Sequence, residues 1–162
     1  MDVQDWLPAQ VLRSGSETKR KMSPLQQCAA IPYVETSAGK LVLIVTTRGR
    51  GVWTIPKGWP KPKKTKAEVA ALEAFEEGGV SGEISPEPIG TYTYTKRLHM
   101  FSWVRCRAEV YGLLVERQLL TWPEKQSRKI AWVSLAQAAD MVRERELSAL
   151  LRSLAAAEAA KA

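Results

Sequence analysis

The stretch that decides the fold runs from residue 58 to residue 80 and has the sequence GWPKPKKTKAEVAALEAFEEGGV. Thr65 and Glu68 have the spacing of a capping box, in which each side chain accepts a hydrogen bond from the other residue's backbone amide. Alanines and glutamates, which favour helix, follow them, and Gly78-Gly79 supplies a left-handed stop. This pattern predicts a helix over residues 66–77.

The predicted helix carries three glutamates on one side. At about 100° per residue, Glu73, Glu76 and Glu77 fall within roughly a 100° sector of its surface. Like charges this close repel each other, so the arrangement gains nothing unless a cation lies among the carboxylates. Hard oxygen ligands converging in this way suit Mg²⁺ or Mn²⁺. The alternative is a solvated polar face, which is the ordinary role of glutamates on an isolated helix.

The same stretch resembles the Nudix box, written G-x5-E-x7-R-E-U-x-E-E-x-G-U, where U is an aliphatic residue. The matching positions, in order, are Gly58, Glu73, Glu76, Glu77, Gly79 and Val80. The preceding WTIPKG of residues 53–58 also resembles the strand that leads into the box in many members of the family. The resemblance implies an α/β (α+β) fold of the Nudix type, an α/β/α sandwich with a mixed, partly antiparallel sheet and helices on both faces.

Two positions depart from the box. Lys64 stands where the pattern has its first Glu, and Leu72 stands where it has Arg. In the family these side chains support the metal-binding helix rather than supplying its central ligands, so their replacement affects rate and metal geometry more than reaction class. An alternative reading is therefore a degenerate Nudix domain that binds RNA or a phosphorylated ligand without cleaving it.

The resemblance implies a metal-dependent pyrophosphohydrolase that cuts a phosphoanhydride bond. Glu73, Glu76 and Glu77 would be its catalytic residues and, with Gly58, its ligands for Mg²⁺ or Mn²⁺. A glutamate outside the box often serves as base or as an extra ligand in the family, and the sequence leaves three candidates open, namely Glu109, Glu116 and Glu124. The end of the chain, from Trp122-Pro-Glu onward, resembles members that act on diphosphoinositol polyphosphates or dinucleoside polyphosphates.

Positive charge is concentrated just before the predicted helix. The net charge of the chain is +7, and residues 48–66 contain seven lysines or arginines and no acid. We predict that six of them bind substrate phosphate, which are Arg48, Arg50, Lys57, Lys61, Lys63 and Lys64. A basic stretch suits a polyanion, so an anionic diphosphate-containing small molecule is the expected partner, with nucleic acid, including a capped RNA 5′ end, as the less favoured one. A loop kept soluble by lysines is the plain alternative.

The remaining sequence predicts one globular domain. Residues 1–24 lack a sustained period and predict a flexible tail, followed by a single domain over residues 25–158. Apolar, β-branched runs predict strands at residues 27–35, 41–47, 52–55, 82–84, 89–94 and 129–134. Residues 100–116 are too long for one ordinary strand and predict two, with a bend near Arg107 or Gly112. Two helices are expected at residues 136–143 and 147–160.

Composition narrows the protein class. At 45% hydrophobic residues, 162 residues suffice for a sizeable core. No apolar run approaches the roughly 20 residues that span a bilayer, so we expect a cytoplasmic protein with no membrane partner, either a monomer or a homodimer. Cys28 and Cys106 lack the spacing of a zinc or redox site and are expected to be core thiols.

Overall fold

A computed structural model describes residues 22–162, which form eight strands and three helices. In chain order these are β1 (Leu25–Thr36), β2 (Gly39–Thr46), β3 (Trp53–Thr54), β4 (Lys57–Gly58), α1 (Lys66–Gly78), β5 (Val80–Ile84), β6 (Gly90–His99), β7 (Ser102–Gln118), β8 (Ile130–Ser134), α2 (Leu135–Met141) and α3 (Arg145–Ala160). The predicted flexible tail, residues 1–24, lies almost entirely outside the described residues.

All eight strands join one mixed sheet. The strands predicted at residues 27–35 and 41–47 are present as β1 and β2, which form a hairpin with Thr36 paired to Gly39 at its turn. The only parallel pair among the described strands is β1 with β7, which runs from Leu25↔Cys106 to Tyr33↔Leu114. On the far edge of β7, β6 and β5 pair antiparallel with successive parts of the same strand.

Helices cover the sheet on both faces, as expected. Alternate residues of β1 separate the two sides: Cys28 and Ala30 belong to the core under α1, whereas Ala29 and Ile31 belong to the core under α2 and α3. Each helix contributes fully buried apolar side chains to its side of the sheet. The resulting three layers confirm the predicted mixed α+β sandwich.

The prediction of two strands at residues 100–116 was wrong. Residues 102–118 form a single strand, β7, of 17 residues. Three different strands, β6, β1 and β5, pair with successive parts of its two edges. The backbone of this long strand therefore stays hydrogen-bonded without a break. The register with β5 shifts between Ser81 and Gly82, where the extra residue, Glu116, lies on β7 itself, because Ser81 pairs with Arg117 and Gly82 pairs with Val115.

A second correction concerns the segment before α1. The sequence placed Lys57 and Gly58 at the end of a strand and the start of a loop, but they form the short strand β4, paired with Cys28 and Ala29 of β1. This pairing holds Gly58 against the central part of the sheet. The opening glycine of the box is therefore fixed by backbone hydrogen bonds rather than carried on a free loop.

The ends of α1 agree with the predicted caps. Thr65 accepts from the Glu68 amide and Glu68 accepts from the Thr65 amide, which completes the capping box. Gly79 closes the helix in the left-handed conformation at φ 68°, where a side chain would be strained. A side chain there would also collide with the Trp122 indole ring.

Candidate active site

The carboxylates of α1 are more buried than an amphipathic helix pattern suggests. Glu73 is 8% exposed and Glu77 is 4% exposed, while Glu76 is only partly buried. Ionised carboxylates are removed from water only when other groups compensate their charge. The surroundings of Glu73 and Glu77 therefore define the candidate site.

The Glu73 carboxylate lies between the backbone of Gly58 and the ammonium group of Lys61. A Cβ atom built on Gly58 would come within 2.2 Å of Glu73 Oε1, so only glycine leaves room for this carboxylate. Lys61 Nζ lies 3.2 Å from the same oxygen. Burial raises the pKa of Glu73, and the neighbouring Lys61 ammonium opposes that rise. Gly58, a predicted metal ligand, and Lys61, a predicted phosphate-binding residue, are thus both in contact with Glu73.

Glu77 faces an arginine that the sequence did not single out as a site residue. Arg128 Nη2 lies 3.4 Å from Glu77 Oε1, and Arg128 Nη1 donates to the Thr46 carbonyl. Burial raises the pKa of Glu77 to about 8, with a further rise from Glu73, while Arg128 and Lys57 act in the opposite direction. In the absence of a metal ion, burial thus favours the protonated form of this carboxyl group.

Residues 119–128 fold over the C-terminal end of α1. The Trp122 indole donates to the Glu77 carbonyl at 3.2 Å, and the Glu124 amide donates to the Glu76 carbonyl at 3.0 Å. These bonds satisfy helix carbonyls that have no partner within the helix. They also bring the Glu124 side chain beside the other two buried carboxylates, since its charge raises the pKa of both Glu73 and Glu77.

Glu124 is thus the one of the three glutamates outside the box that reaches the site. Its side chain is 15% exposed, with Oε2 3.5 Å from Arg128 and Oε1 2.7 Å from Arg48. The contact with Arg48 is ionic only, because its angles are not those of a hydrogen bond and Oε1 is buried without a hydrogen-bond partner. Glu109 instead pairs with Lys66, and Glu116 is exposed.

A cavity of about 1030 Å³ adjoins Glu77. Three carboxylates, those of Glu77, Glu144 and Glu146, belong to its wall together with His99 and eight cations. The eight cations are Arg48, Arg50, Lys57, Lys96, Arg97, Arg128, Arg143 and Arg145. This excess of positive charge in a concave site favours an anionic ligand.

Many of these cations have no carboxylate to neutralise them. Among the described residues, Arg48, Lys57 and Arg128 form ion pairs, whereas the other five cations of the cavity wall form none. Lys96 is also desolvated: burial lowers the pKa of its ammonium, which lies 4.9 Å from the centre of the Trp59 ring. The unpaired cations come from the β2–β3 connection, from β6 and from the junction of α2 and α3.

The predicted phosphate-binding residues divide into three groups. Arg48, Arg50 and Lys57 line the cavity, although Lys57 also pairs with Glu144 at 3.0 Å. Lys61 lies at Glu73. Lys63 and Lys64 are exposed and do not line the cavity.

Sequence reasoning missed the cavity cations that lie beyond the box. Lys96 and Arg97 lie more than forty residues before Arg143 and Arg145, and no spacing rule relates β6 to the α2–α3 junction. The lysines and arginines of residues 48–66 indicated a site for anions, but they supply only part of the positive charge in the cavity wall.

The donors of the site fit a hard divalent cation. Glu73 Oε1 lies against the backbone of Gly58, two residues predicted to share a ligand role, and a buried oxygen of Glu124 lacks a hydrogen-bond partner. Oxygen donors of this kind are what Mg²⁺ and Mn²⁺ prefer. Within residues 22–162, however, no three His, Cys, Asp or Glu side chains are already grouped closely enough to hold a metal ion. Lys61 and Arg128 supply the positive charge in this arrangement.

Comparison with known proteins agrees with the geometry of the box. The NUDIX domain family matches residues 24–152. The chain belongs to the Nudix hydrolase family. It is 32% identical over 128 residues to Nudix hydrolase 16, mitochondrial, of Arabidopsis thaliana, covering 72% of this chain and 70% of that protein. Nudix hydrolases are pyrophosphohydrolases, which gives the reaction class of the family.

Other Nudix relatives are longer than this chain. The alignments with four further Arabidopsis thaliana Nudix hydrolases cover 50–58% of the length of those proteins. Bis(5'-nucleosyl)-tetraphosphatase [asymmetrical] of Sus scrofa is 24% identical, covering 75% of this chain and 82% of that protein.

Solved structures share the fold of this Nudix domain. A C. elegans Ap4A hydrolase binary complex superposes with a TM-score of 0.63 at 17% identity, covering 84% of this chain and 98% of that one. Within the described part of the chain, no helix is both long and apolar enough to cross a membrane.

Proposed function

We propose that this Nudix domain hydrolyses a phosphoanhydride bond in a polyphosphorylated small molecule and depends on Mg²⁺ or Mn²⁺. The observation that carries the proposal is the position of Glu77, a buried carboxyl at the wall of a large cavity in which cations outnumber acids. The buried carboxyl group suits a bound divalent cation, and the cationic wall suits several phosphates. The two features adjoin, as the reaction requires.

Glu73, Glu77, the Gly58 carbonyl and Glu124 are the groups that would hold the cation, and Glu76 would contribute from the more exposed side. When bound, a divalent ion supplies neutralisation of the anhydride oxygens and activation of water. Lys61 and Arg128 would then give up part of their contact with Glu73 and Glu77, which frees their charges for the substrate. Glu124 takes the place of the glutamate outside the box, and its Oε1, which pairs with Arg48 but accepts no hydrogen bond, suits acceptance of a proton from the attacking water.

The cavity favours phosphate over base recognition. Tyr94 and His99 are the only aromatic side chains in the described part of its wall, and Lys57 Nζ lies 5.0 Å from the centre of the Tyr94 ring. Because the Lys57 ammonium lies over the Tyr94 ring, His99 is the one ring of the described wall left for a nucleobase to stack on, whereas phosphates would meet Arg50, Lys96 and the arginines at the α2–α3 junction. We therefore place diphosphoinositol polyphosphates ahead of dinucleoside polyphosphates, although the pig relative is named for a dinucleoside tetraphosphate.

The test is product release across inositol pyrophosphates, dinucleoside polyphosphates, nucleotide sugars and nucleoside triphosphates, each with Mg²⁺, with Mn²⁺ and with chelator. We expect metal-dependent turnover that collapses in Glu77→Gln and is fastest on the most highly phosphorylated compounds. Glu116→Gln, on the same chain but exposed and away from the site, is the matched control and should retain activity.

A Nudix domain that binds polyphosphates without cleaving them is the second candidate. The ion pair of Lys61 with Glu73 favours it, because an ammonium there already balances a carboxylate that a metal would otherwise use. Metal-independent binding of inositol pyrophosphates, with no turnover of any compound in the panel, would establish this candidate and exclude the hydrolase.

A further inference from the structure

The β6–β7 hairpin has one buried face and one bare face. Residues directly opposite each other in the ladder share a face. The pairs Arg97↔Trp103, Thr95↔Arg105 and Thr93↔Arg107 alternate with Lys96↔Val104, Tyr94↔Cys106 and Tyr92↔Ala108, whose residues are buried or partly buried. The bare side therefore collects threonines, arginines and a tryptophan. We name it the hairpin outer face, formed by Thr91, Trp103, Arg105 and Arg107, together with Thr93, Thr95 and Arg97, which also line the cavity.

Positive charge on the hairpin outer face is not neutralised. Arg97, Arg105 and Arg107 are exposed and form no ion pair within the described residues. Arg105 and Arg107 follow each other along one face at a spacing of about 7 Å, where like charges repel. The Arg97 guanidinium lies 5.6 Å from the centre of the Trp103 ring, which is 56% exposed. A free protein gains little from this arrangement, but a polyanion would stabilise it.

The lysines that do not reach the cavity extend this surface. Lys66, at the start of α1, reaches across to Glu109 of β7 at 2.7 Å, so the loop before α1 adjoins the hairpin outer face. Lys63 and Lys64 precede it, exposed and without an ion pair among the described residues. The two nearby carboxylates already accept hydrogen bonds from other groups. Glu109 accepts from Lys66, and Glu68 accepts from the Thr65 amide.

We propose that the hairpin outer face and the adjoining lysines bind single-stranded nucleic acid. Trp103, Arg105 and Arg107 lie outside the cavity on an open sheet face, which fits an extended polyanion better than a compact phosphate compound. An exposed Trp with interleaved arginines provides stacking for bases and contacts for phosphates, and threonine hydroxyls can donate to phosphate oxygens. At the tip of the hairpin, Phe101 is 92% exposed and Met100 is 69% exposed. These two side chains add apolar surface next to Trp103.

The test is binding of short fluorescein-labelled single-stranded RNA and DNA to the full chain, followed by anisotropy over a range of salt concentrations. Arg105→Gln/Arg107→Gln should weaken binding at least tenfold at low salt and reduce the slope of log K against log salt by about 1.4, the effect of two lost phosphate contacts. Trp103→Ala should weaken binding about fivefold or more, and Trp103→Phe should restore most of it.

The matched control is Arg117→Gln. Arg117 is exposed on the same strand, about 33 Å from Arg107 along β7, and should leave binding unchanged. Equal binding by the wild type and by the Arg105→Gln/Arg107→Gln and Trp103→Ala variants would overturn the proposal. So would equal affinity for duplex DNA, whose bases cannot stack on Trp103, or binding to anionic lipid vesicles without binding to oligonucleotides.

This inference stands apart from the proposed hydrolysis. Glu77→Gln should bind the oligonucleotides like the wild type, and Arg105→Gln/Arg107→Gln should hydrolyse small substrates at the wild-type rate. Absence of turnover by the wild type, with intact oligonucleotide binding, would refute the proposed hydrolysis alone. Intact turnover with no oligonucleotide binding would refute the nucleic-acid surface alone.

Discussion

The Glu73 carboxylate lies so close to Gly58 that a methyl group on Gly58 would come within 2.2 Å of Glu73 Oε1. Gly58→Ala should therefore displace this carboxylate. Because the colliding atoms are the end of a flexible side chain, stability should change little, whereas misplacing a site group by about 1 Å can reduce the rate about 100-fold. The measurement is kcat/KM beside thermal unfolding. Gly112→Ala is the control, since its nearest contact would be an ordinary 3.5 Å to Tyr33.

Stability without divalent cations should depend on pH through Glu77. The folded pKa is about 8 against 4.5 for the free side chain, so the folded state holds the proton more tightly. Stability should therefore fall as pH rises from about 4.5 to 8. Glu77→Gln should remove this slope, and each kcal/mol corresponds to about 2–4 °C in Tm. Thermal unfolding of both proteins in chelator, across that pH range, measures the difference; parallel curves would contradict the assignment.

Trp122 should act as a positioning residue for Glu124. Trp122→Phe keeps an aromatic ring over Gly79 but loses the indole hydrogen bond to the Glu77 carbonyl, which costs about 0.5–1.5 kcal/mol. Trp122→Ala also loses the packing that anchors residues 119–128 and should reduce kcat more than it raises KM. Urea unfolding gives the stability change, and steady-state kinetics gives the split. Equal kcat in wild type, Phe and Ala variants would show that the loop does not position the site.

The arginines at the α2–α3 junction should select highly phosphorylated substrates. Arg143→Gln/Arg145→Gln should raise KM for an inositol pyrophosphate about tenfold or more, since one charged hydrogen bond contributes about 1.5–3 kcal/mol. The effect on a nucleotide sugar, which has fewer phosphates, should be smaller. Arg152→Gln removes an arginine that pairs with Asp140 on the exposed surface and serves as the control. A uniform rise in KM for all substrates would contradict selection by phosphate number.

Local signals in the sequence predicted much of the fold. Thr65, Glu68 and Gly79 marked both ends of α1 because capping depends on contacts within a few residues. The pattern failed at β7, where local length rules predicted a break. Three strands contribute partners to β7 from distant parts of the chain, and no local rule counts those partners.

The sequence alone determined the family, the helix that carries Glu73, Glu76 and Glu77, and the presence of excess positive charge, because these depend on residue type and short spacing. Only the tertiary structure decided which charged side chains lie together at the site and in the cavity wall. It buried Glu77 against Arg128, brought Glu124 but not Glu109 or Glu116 to the site, and lined the cavity with Lys96, Arg143 and Arg145. Pairing in a sheet and packing of helices bring together such residues, which are far apart in the chain. The same folding left Lys63 and Lys64 outside the cavity, since β4 fixes the residues just before them to the sheet.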